Sequence, residues 1–238
     1  MTSPKDPPKR KFVKPKDVRR ETVNLKKAMG KTVSQQRWLQ RQLNDPYVQA
    51  AKDRGYLSRA AFKLIEIDEK YNILRPGMKI VDLGCAPGGW TQVCVEKLNA
   101  KKNHNSKVVG MDLKEVDPPI EGATLLVGDF LEQSMQDQLL TLLNGKADAV
   151  LSDMAPSATG HNKTDHLRIM GLAESAYYFA RQVLAPGGTF LCKVLQGGTE
   201  GDLLKQLKQD FKKVTHVKPP SSRKDSSEMF VIGLEFNG

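Results

Sequence analysis

Apolar and polar positions change their rhythm along the chain. Residues 1 to about 30 show no period and few large apolar side chains; Lys, Arg and Pro dominate, which predicts an arm disordered on its own. Trp38, Leu39 and Leu43, spaced among Arg37, Arg41 and glutamines, predict a short helix from Ser34 to Leu43. Asp45-Pro46 marks the start of a second helix, which Gly55 closes after Arg54. Ser58 is the expected N-cap of a third helix running to about Tyr71, with Ala61, Leu64, Ile65 and Asp68 on one face.

From Gly77 onward short apolar runs alternate with helical patterns. Strands are predicted at Lys79–Leu83, Lys107–Asp112, Ala123–Val127, Asp148–Asp153, Thr189–Val194, Lys213–Val217 and Glu228–Phe236. Helices are predicted at Trp90–Leu98, Glu132–Leu143, Asp165–Leu184 and Glu200–Phe211, the third stopped by Ala185-Pro186-Gly187-Gly188. Strands alternating with helices imply an α/β fold, a mostly parallel sheet with helices on both faces. At 238 residues the chain suits one such domain, from about Asp45 to Gly238, preceded by a basic arm over residues 1–44.

Charge sharpens this picture. The formal net charge is +10, and residues 1–59 alone hold 16 Lys/Arg against 5 Asp/Glu, while the remainder holds 21 against 22. The basic surplus therefore sits in the first quarter, where it suits a polyanion: each neutralised phosphate releases counterions. No run of eighteen apolar residues is present to span a membrane, and the N-terminus has no apolar signal region. The three cysteines, Cys85, Cys94 and Cys192, form no CxxC pair, and the four histidines show no ligand spacing with them. A reduced cytoplasmic setting and no metal are the expectation.

Candidate chemistry gathers at the carboxyl ends of the predicted strands, where ligands bind in doubly wound sheets. The loop Asp82-Leu83-Gly84-Cys85-Ala86-Pro87-Gly88-Gly89-Trp90 follows the first strand and opens a helix, and its glycines let backbone approach a ligand. Its spacing is not GxGxxG, which argues against a dinucleotide and a nicotinamide-dependent oxidoreductase. Asp112 ends the second strand, placed to accept from ribose hydroxyls; Asp129 follows the third, placed for an adenine amino group; Asp153 ends the fourth. With Asp82, four acids are expected on one rim. Lys193 lies in the apolar strand Phe190-Leu191-Cys192-Lys193-Val194, where lysine is rarely left without a partner. On the residues alone, Lys193 is functional or structural, Lys63 could be a surface helix lysine, and Glu228 an exposed strand start.

Five segments occurring in order resemble the RrmJ/FtsJ family of 2′-O-ribose methyltransferases, specifically its bacterial large-subunit ribosomal RNA branch. They are Ser58-Arg59-Ala60-Ala61-Phe62-Lys63-Leu64, the Asp82–Trp90 loop, Ser152-Asp153-Met154-Ala155-Pro156, Phe190-Leu191-Cys192-Lys193 and Ser226-Ser227-Glu228-Met229-Phe230. The resemblance spans roughly Asp45 to Phe236. It implies a Rossmann-like class I fold dependent on S-adenosylmethionine, with seven strands and the last antiparallel. It implies a catalytic tetrad of Lys63, Asp153, Lys193 and Glu228, with Lys193 as proton acceptor, and cofactor contacts from Gly88, Trp90, Asp112, Asp129 and Asp153. It further implies a monomer that methylates one uridine ribose in the aminoacyl-site loop (A-loop) of 23S RNA, reached on an assembled large (50S) subunit. A tRNA anticodon-loop ribose, or a noncatalytic role in ribosome assembly, is the alternative. Lys193 can take a proton only when neutral; Lys63 and the cofactor's sulfonium would lower its pKa, whereas Asp153 and Glu228 would oppose this. Lys218, Arg223 and Lys224, just before Glu228, are expected to clamp phosphates beside the target ribose.

Overall fold

The structure, a computed structural model, describes residue 30 and residues 32–156, 162–196 and 201–238. The first 29 residues of the predicted arm lie outside the described residues. The chain divides into two compact units, Met1–Gly55 and Tyr56–Gly238. The first contains α1 (Val33–Asn44) and α2 (Pro46–Asp53). Thr32 closes a capping box with Gln35 at the start of α1, and Asp45 caps α2 through the Tyr47 N–H, with Pro46 in its first turn.

The second unit runs α3 (Ala61–Tyr71), β1 (Lys79–Leu83), α4 (Gly89–Leu98), β2 (Lys107–Asp112), β3 (Thr124–Val127), α5 (Gln133–Leu143) and β4 (Ala147–Ser152). It continues with α6 (Asn162–Val183), β5 (Leu184–Leu195), α7 (Gly201–Asp210), β6 (Phe211–Val217) and β7 (Glu228–Phe236). The seven strands lie in the order β3-β2-β1-β4-β5-β7-β6, and β7 alone runs antiparallel to its neighbours. The order reverses between β1 and β4, so the crevice beyond their carboxyl ends is the place for a ligand. The central strands are buried on both faces. Leu83, Met111 and Phe190 pack with Leu139 and Leu143 of α5, Tyr177 and Phe179 of α6, and Leu207 of α7. On the opposite face α4 lies on β1 and β2 and carries Trp90 against Phe230 of β7. Each fully buried Leu or Phe contributes ~1.5–3 kcal/mol to holding these layers. Three lysines secure helix ends, where carbonyls lack partners and the dipole favours cations: Lys107 donates to Leu142 O, Lys79 to Asn144 O and Lys146 to Gln182 O.

Three local expectations are corrected. Ser58 does not cap α3: its hydroxyl finds no partner, and the helix starts at Ala61 behind a turn in which Ala61, Phe62 and Lys63 N–H groups reach Ser58, Arg59 and Ala60 carbonyls. The fifth strand begins at Leu184 rather than Thr189, because Leu184 pairs with Ala147 before the chain bulges through Pro186–Gly188 and rejoins beside Ala149. The sixth begins at Phe211, which pairs with Phe236 and has its ring centre 5.2 Å from that of Phe236.

Candidate active site

Gly84 and Gly88 shape the crevice beyond β1. Gly84 has φ +77°, and a Cβ there would lie 2.7 Å from the Met154 amide nitrogen. Only glycine lets the loop after β1 press on the segment after β4, whose Asp153 N–H binds Leu83 O. Gly88, at φ +113°, is the N-cap of α4 in a backbone conformation that favours glycine, and a Cβ there would push against the side-chain ends of Ile120, Leu57 and Val116. No side chain caps α4, which leaves its first-turn N–H groups for an anion.

The predicted acids fall into two kinds. Asp112 and Asp129 sit at adjacent strand ends, and each also shapes its own loop. Asp112 accepts from Ala86 N–H and Lys114 N–H, both at 3.0 Å, and Asp129 accepts from Leu131 N–H at 2.9 Å. Asp82 does not join that rim. It is fully buried, points to α4 and accepts from Thr91 Oγ1 at 2.7 Å, while its Oδ1 has no partner. The period of two along β1 explains this: Val81 and Leu83 face the α5–α7 side, so Asp82 faces the other. Burial pushes its carboxyl up to about 7; the Thr91 hydrogen bond opposes the rise, and Asp153 and Asp112 add to it.

Trp90 is also more enclosed than a ligand-facing ring. It is 3% exposed, donates from Nε1 to Ala60 O at 2.9 Å, and lies 5.5 Å from the Phe230 ring. Two residues absent from the sequence expectation do stand open beside the acids. Leu113, after Asp112, is 70% exposed and Leu131, near Asp129, is 56% exposed. An apolar residue one or two positions after a strand-end acid was the available signal.

Lys63, Asp153, Lys193 and Glu228 come together from α3, the end of β4, β5 and the start of β7. Lys193 Nζ lies 2.9 Å from Asp153 Oδ1 and 3.8 Å from Glu228 Oε2, and donates to the Asp153 carbonyl at 2.9 Å. Lys63 pairs with the other oxygen of Glu228, and its ammonium lies 5.6 Å from the Phe230 ring centre. Two cations alternate with two anions, so the set is neutral overall. Asp153 Oδ1 is buried, with the Lys193 ammonium at ion-pair distance. For Lys193, burial lowers the pKa, but Asp153 and Glu228 outweigh it and hold the amine above its ordinary value. The resting residue is an ammonium ion. A cleft of about 520 Å³ lies at the other end of the sheet, lined by Arg75, Asp148 and Gly188, and includes none of these side chains. Among the described residues no cluster of His, Cys, Asp and Glu could hold a metal ion, and no helix is long and apolar enough to cross a membrane.

Residues 56–236 match the family described as FtsJ-like methyltransferase. The chain belongs to that family. This methyltransferase is 57% identical over 222 residues to ribosomal RNA large subunit methyltransferase E of Parvibaculum lavamentivorans, covering 91% of this chain and 87% of the relative. It is 56% identical to the protein of that name from Xanthobacter autotrophicus, covering 93% and 87%. A crystal structure of a ribosomal RNA methyltransferase from Plasmodium falciparum superposes with a TM-score of 0.67 at 34% identity, covering 77% of this chain and all of that one. A methyl donor of the adenosylmethionine type follows from membership. The site fits it: carboxylates for hydroxyl and amino donors, exposed leucines for a purine face, and an uncapped helix start for a carboxylate.

Proposed function

We propose that this methyltransferase transfers the methyl group of S-adenosylmethionine to the 2′-hydroxyl of a uridine ribose in the A-loop of 23S RNA, on the large ribosomal subunit. The observation that carries the chemistry is Lys193, nearly buried and bracketed by Asp153 and Glu228, with Lys63 on the far side of Glu228. The names of the bacterial relatives support the substrate.

S-adenosylmethionine supplies an electrophilic methyl on a sulfonium. Asp112 accepts from its ribose hydroxyls and Asp129 from its adenine amine, with Leu113 and Leu131 as apolar walls. Gly88 and Trp90 contribute backbone at the start of α4, the Trp90 indole being committed to Ala60. Asp153, at the end of β4, stands on the cofactor side and holds Lys193 through its carboxylate and its carbonyl. As an ammonium, Lys193 first orients the ribose oxygen by donating to it. As RNA excludes water beside a further positive charge, Lys193 Nζ would release its extra proton to solvent by way of Glu228 and, as the neutral amine, take up the proton of the 2′-hydroxyl. Glu228 and Lys63 steer the hydroxyl and take up the charge change. The protein works in the cytoplasm as a monomer, and residues 1–44 form an arm that holds RNA phosphates.

Labelled methyl transfer to purified 50S subunits, free ribosomal RNA and bulk tRNA from cells lacking the enzyme tests the substrate. The expected product is 2′-O-methyluridine on subunits. Label in tRNA instead would refute the ribosomal reading, and cofactor binding without transfer to any of them would refute catalysis. For the arm, deleting residues 1–29 is expected to weaken RNA binding and to flatten the slope of log K against log salt by about 0.7–0.9 for each phosphate that the arm neutralises. An unchanged slope in a filter-binding titration would rule out direct phosphate binding by the arm.

A further inference from the structure

The acid Glu66 lies within the apolar run Leu64-Ile65-Glu66-Ile67 and is only 7% exposed. Its Oε2 accepts the backbone N–H of Ser221 at 2.7 Å. The Arg59 guanidinium donates to the carbonyl of that same Ser221. Arg59, Lys63 and Glu66 follow the i, i+4, i+7 spacing of one helical face, and the turn bonds before α3 carry that face back to Arg59. One stripe of side chains thus bears both the catalytic candidate Lys63 and a two-point grip on the segment between β6 and β7.

That segment has no strand partner, and Ser221 is 1% exposed, so its peptide groups need partners from elsewhere. The rest of the segment closes on itself. Lys218 Nζ donates to Ser226 O at 2.6 Å, Ser222 N–H to Pro219 O and Ser226 N–H to Arg223 O. Its far end is tied to β5 by Gln196 N–H on Ser227 O, and Glu228 N–H is held by Ser226 Oγ. The loop that bears Lys218, Arg223 and Lys224 therefore meets α3 at Ser221 and ends in Glu228.

We propose that Glu66 is a positioning residue for substrate RNA: by holding the Ser221 amide it docks the β6–β7 loop on α3, which presets the Lys63–Glu228 pair and presents the loop's cations to the backbone around the target ribose. The proposal rests on the methyl-transfer reading above. A pre-ordered loop loses little conformational freedom when RNA binds, so its release raises KM and lowers kcat together. Cofactor binding, built on β1–β3 and α4, is left alone.

The test compares full-length wild type, Glu66→Ala and Glu66→Gln in methyl transfer to 50S subunits lacking the modification, in calorimetric binding of S-adenosylmethionine, and in amide exchange of residues 217–227. Glu66→Ala is expected to lower kcat/KM roughly 10- to 100-fold, the scale of removing a hydrogen bond to a charged group. It should speed exchange in the loop and leave cofactor affinity within about twofold. Glu66→Gln, whose amide oxygen accepts the same N–H, is expected to recover most of the loss. Unchanged kcat/KM and exchange in the alanine variant, a glutamine variant no better than alanine, or a parallel loss of cofactor binding would each overturn the assignment. Should the alanine variant not fold, Arg59→Ala releases the carbonyl of the same residue, Ser221; a fall in its kcat/KM without faster loop exchange would also overturn it. Wild type inactive on subunits would refute the substrate reading instead, and loop exchange unaffected by either variant would still sink the clamp.

Discussion

Lys193→Ala abolishes methyl transfer and leaves S-adenosylmethionine affinity within about twofold. The loss expected is at least the ~10²–10⁴-fold contributed by a positioned proton-transfer group, with further loss because the ribose oxygen is no longer aligned. Most cofactor contacts proposed above come from β2, β3 and the start of α4, and Asp153 keeps its backbone bond to Leu83, so binding survives. Calorimetry and single-turnover transfer on the same preparation check both halves. A fall in cofactor affinity matching the fall in rate would remove Lys193 from the chemistry. Lys193→Arg separates its two roles. Guanidinium keeps the donor and the positive charge that Asp153 and Glu228 require, but does not become neutral in a protein. A proton acceptor predicts an arginine variant nearly as inactive as alanine. Activity within tenfold of wild type would leave Lys193 only the orienting role.

Wild-type stability loses a contribution on the order of 4 kcal/mol between about pH 4 and pH 7 because of Asp82, and Asp82→Asn does not. The carboxyl titrates near 7 in the folded chain instead of at its ordinary 3.8. Below pH 3.8 it is protonated in both states and makes no difference. Between the two values the folded chain binds the extra proton, so raising the pH favours unfolding; above about 7 the cost is complete. Urea unfolding across this range checks it as the difference in slope between the two proteins. Parallel pH profiles would mean that Asp82 is not the group responsible. The asparagine keeps an oxygen for Thr91, so the comparison isolates charge more than shape.

Local pattern was enough for most of the architecture. Seven apolar runs, most of them separated by helical periods, specify a mostly parallel sheet, since the central runs must bury both faces and each helix one. The antiparallel last strand, and the meeting of Lys63 and Glu228 with the rim that bears Asp153 and Lys193, were legible only through the resemblance carried by five short motifs. A lysine in an apolar strand signals that it needs a partner, but not which one. Asp153 lies 40 residues away and Glu228 35, and chain distance says nothing about which strand ends become neighbours.

Tertiary structure decided what depends on direction and enclosure. Asp82 and Asp112 look alike as strand-end acids, yet the pleat of β1 turns Asp82 inward and burial changes its titration. Trp90 reads as part of a ligand loop, yet packing against Phe230 and a bond to Ala60 commit its indole elsewhere. Ser58 has the composition of a cap without the geometry of one. Glu66 looks misplaced in an apolar run until the Ser221 peptide, 155 residues on, is found against it. Sequence periodicity specifies which faces are buried, because burial of apolar surface is non-directional and local in pattern. Hydrogen bonds and charges act over a few ångströms along particular directions, so their partners are chosen only when the folded chain brings distant segments into contact.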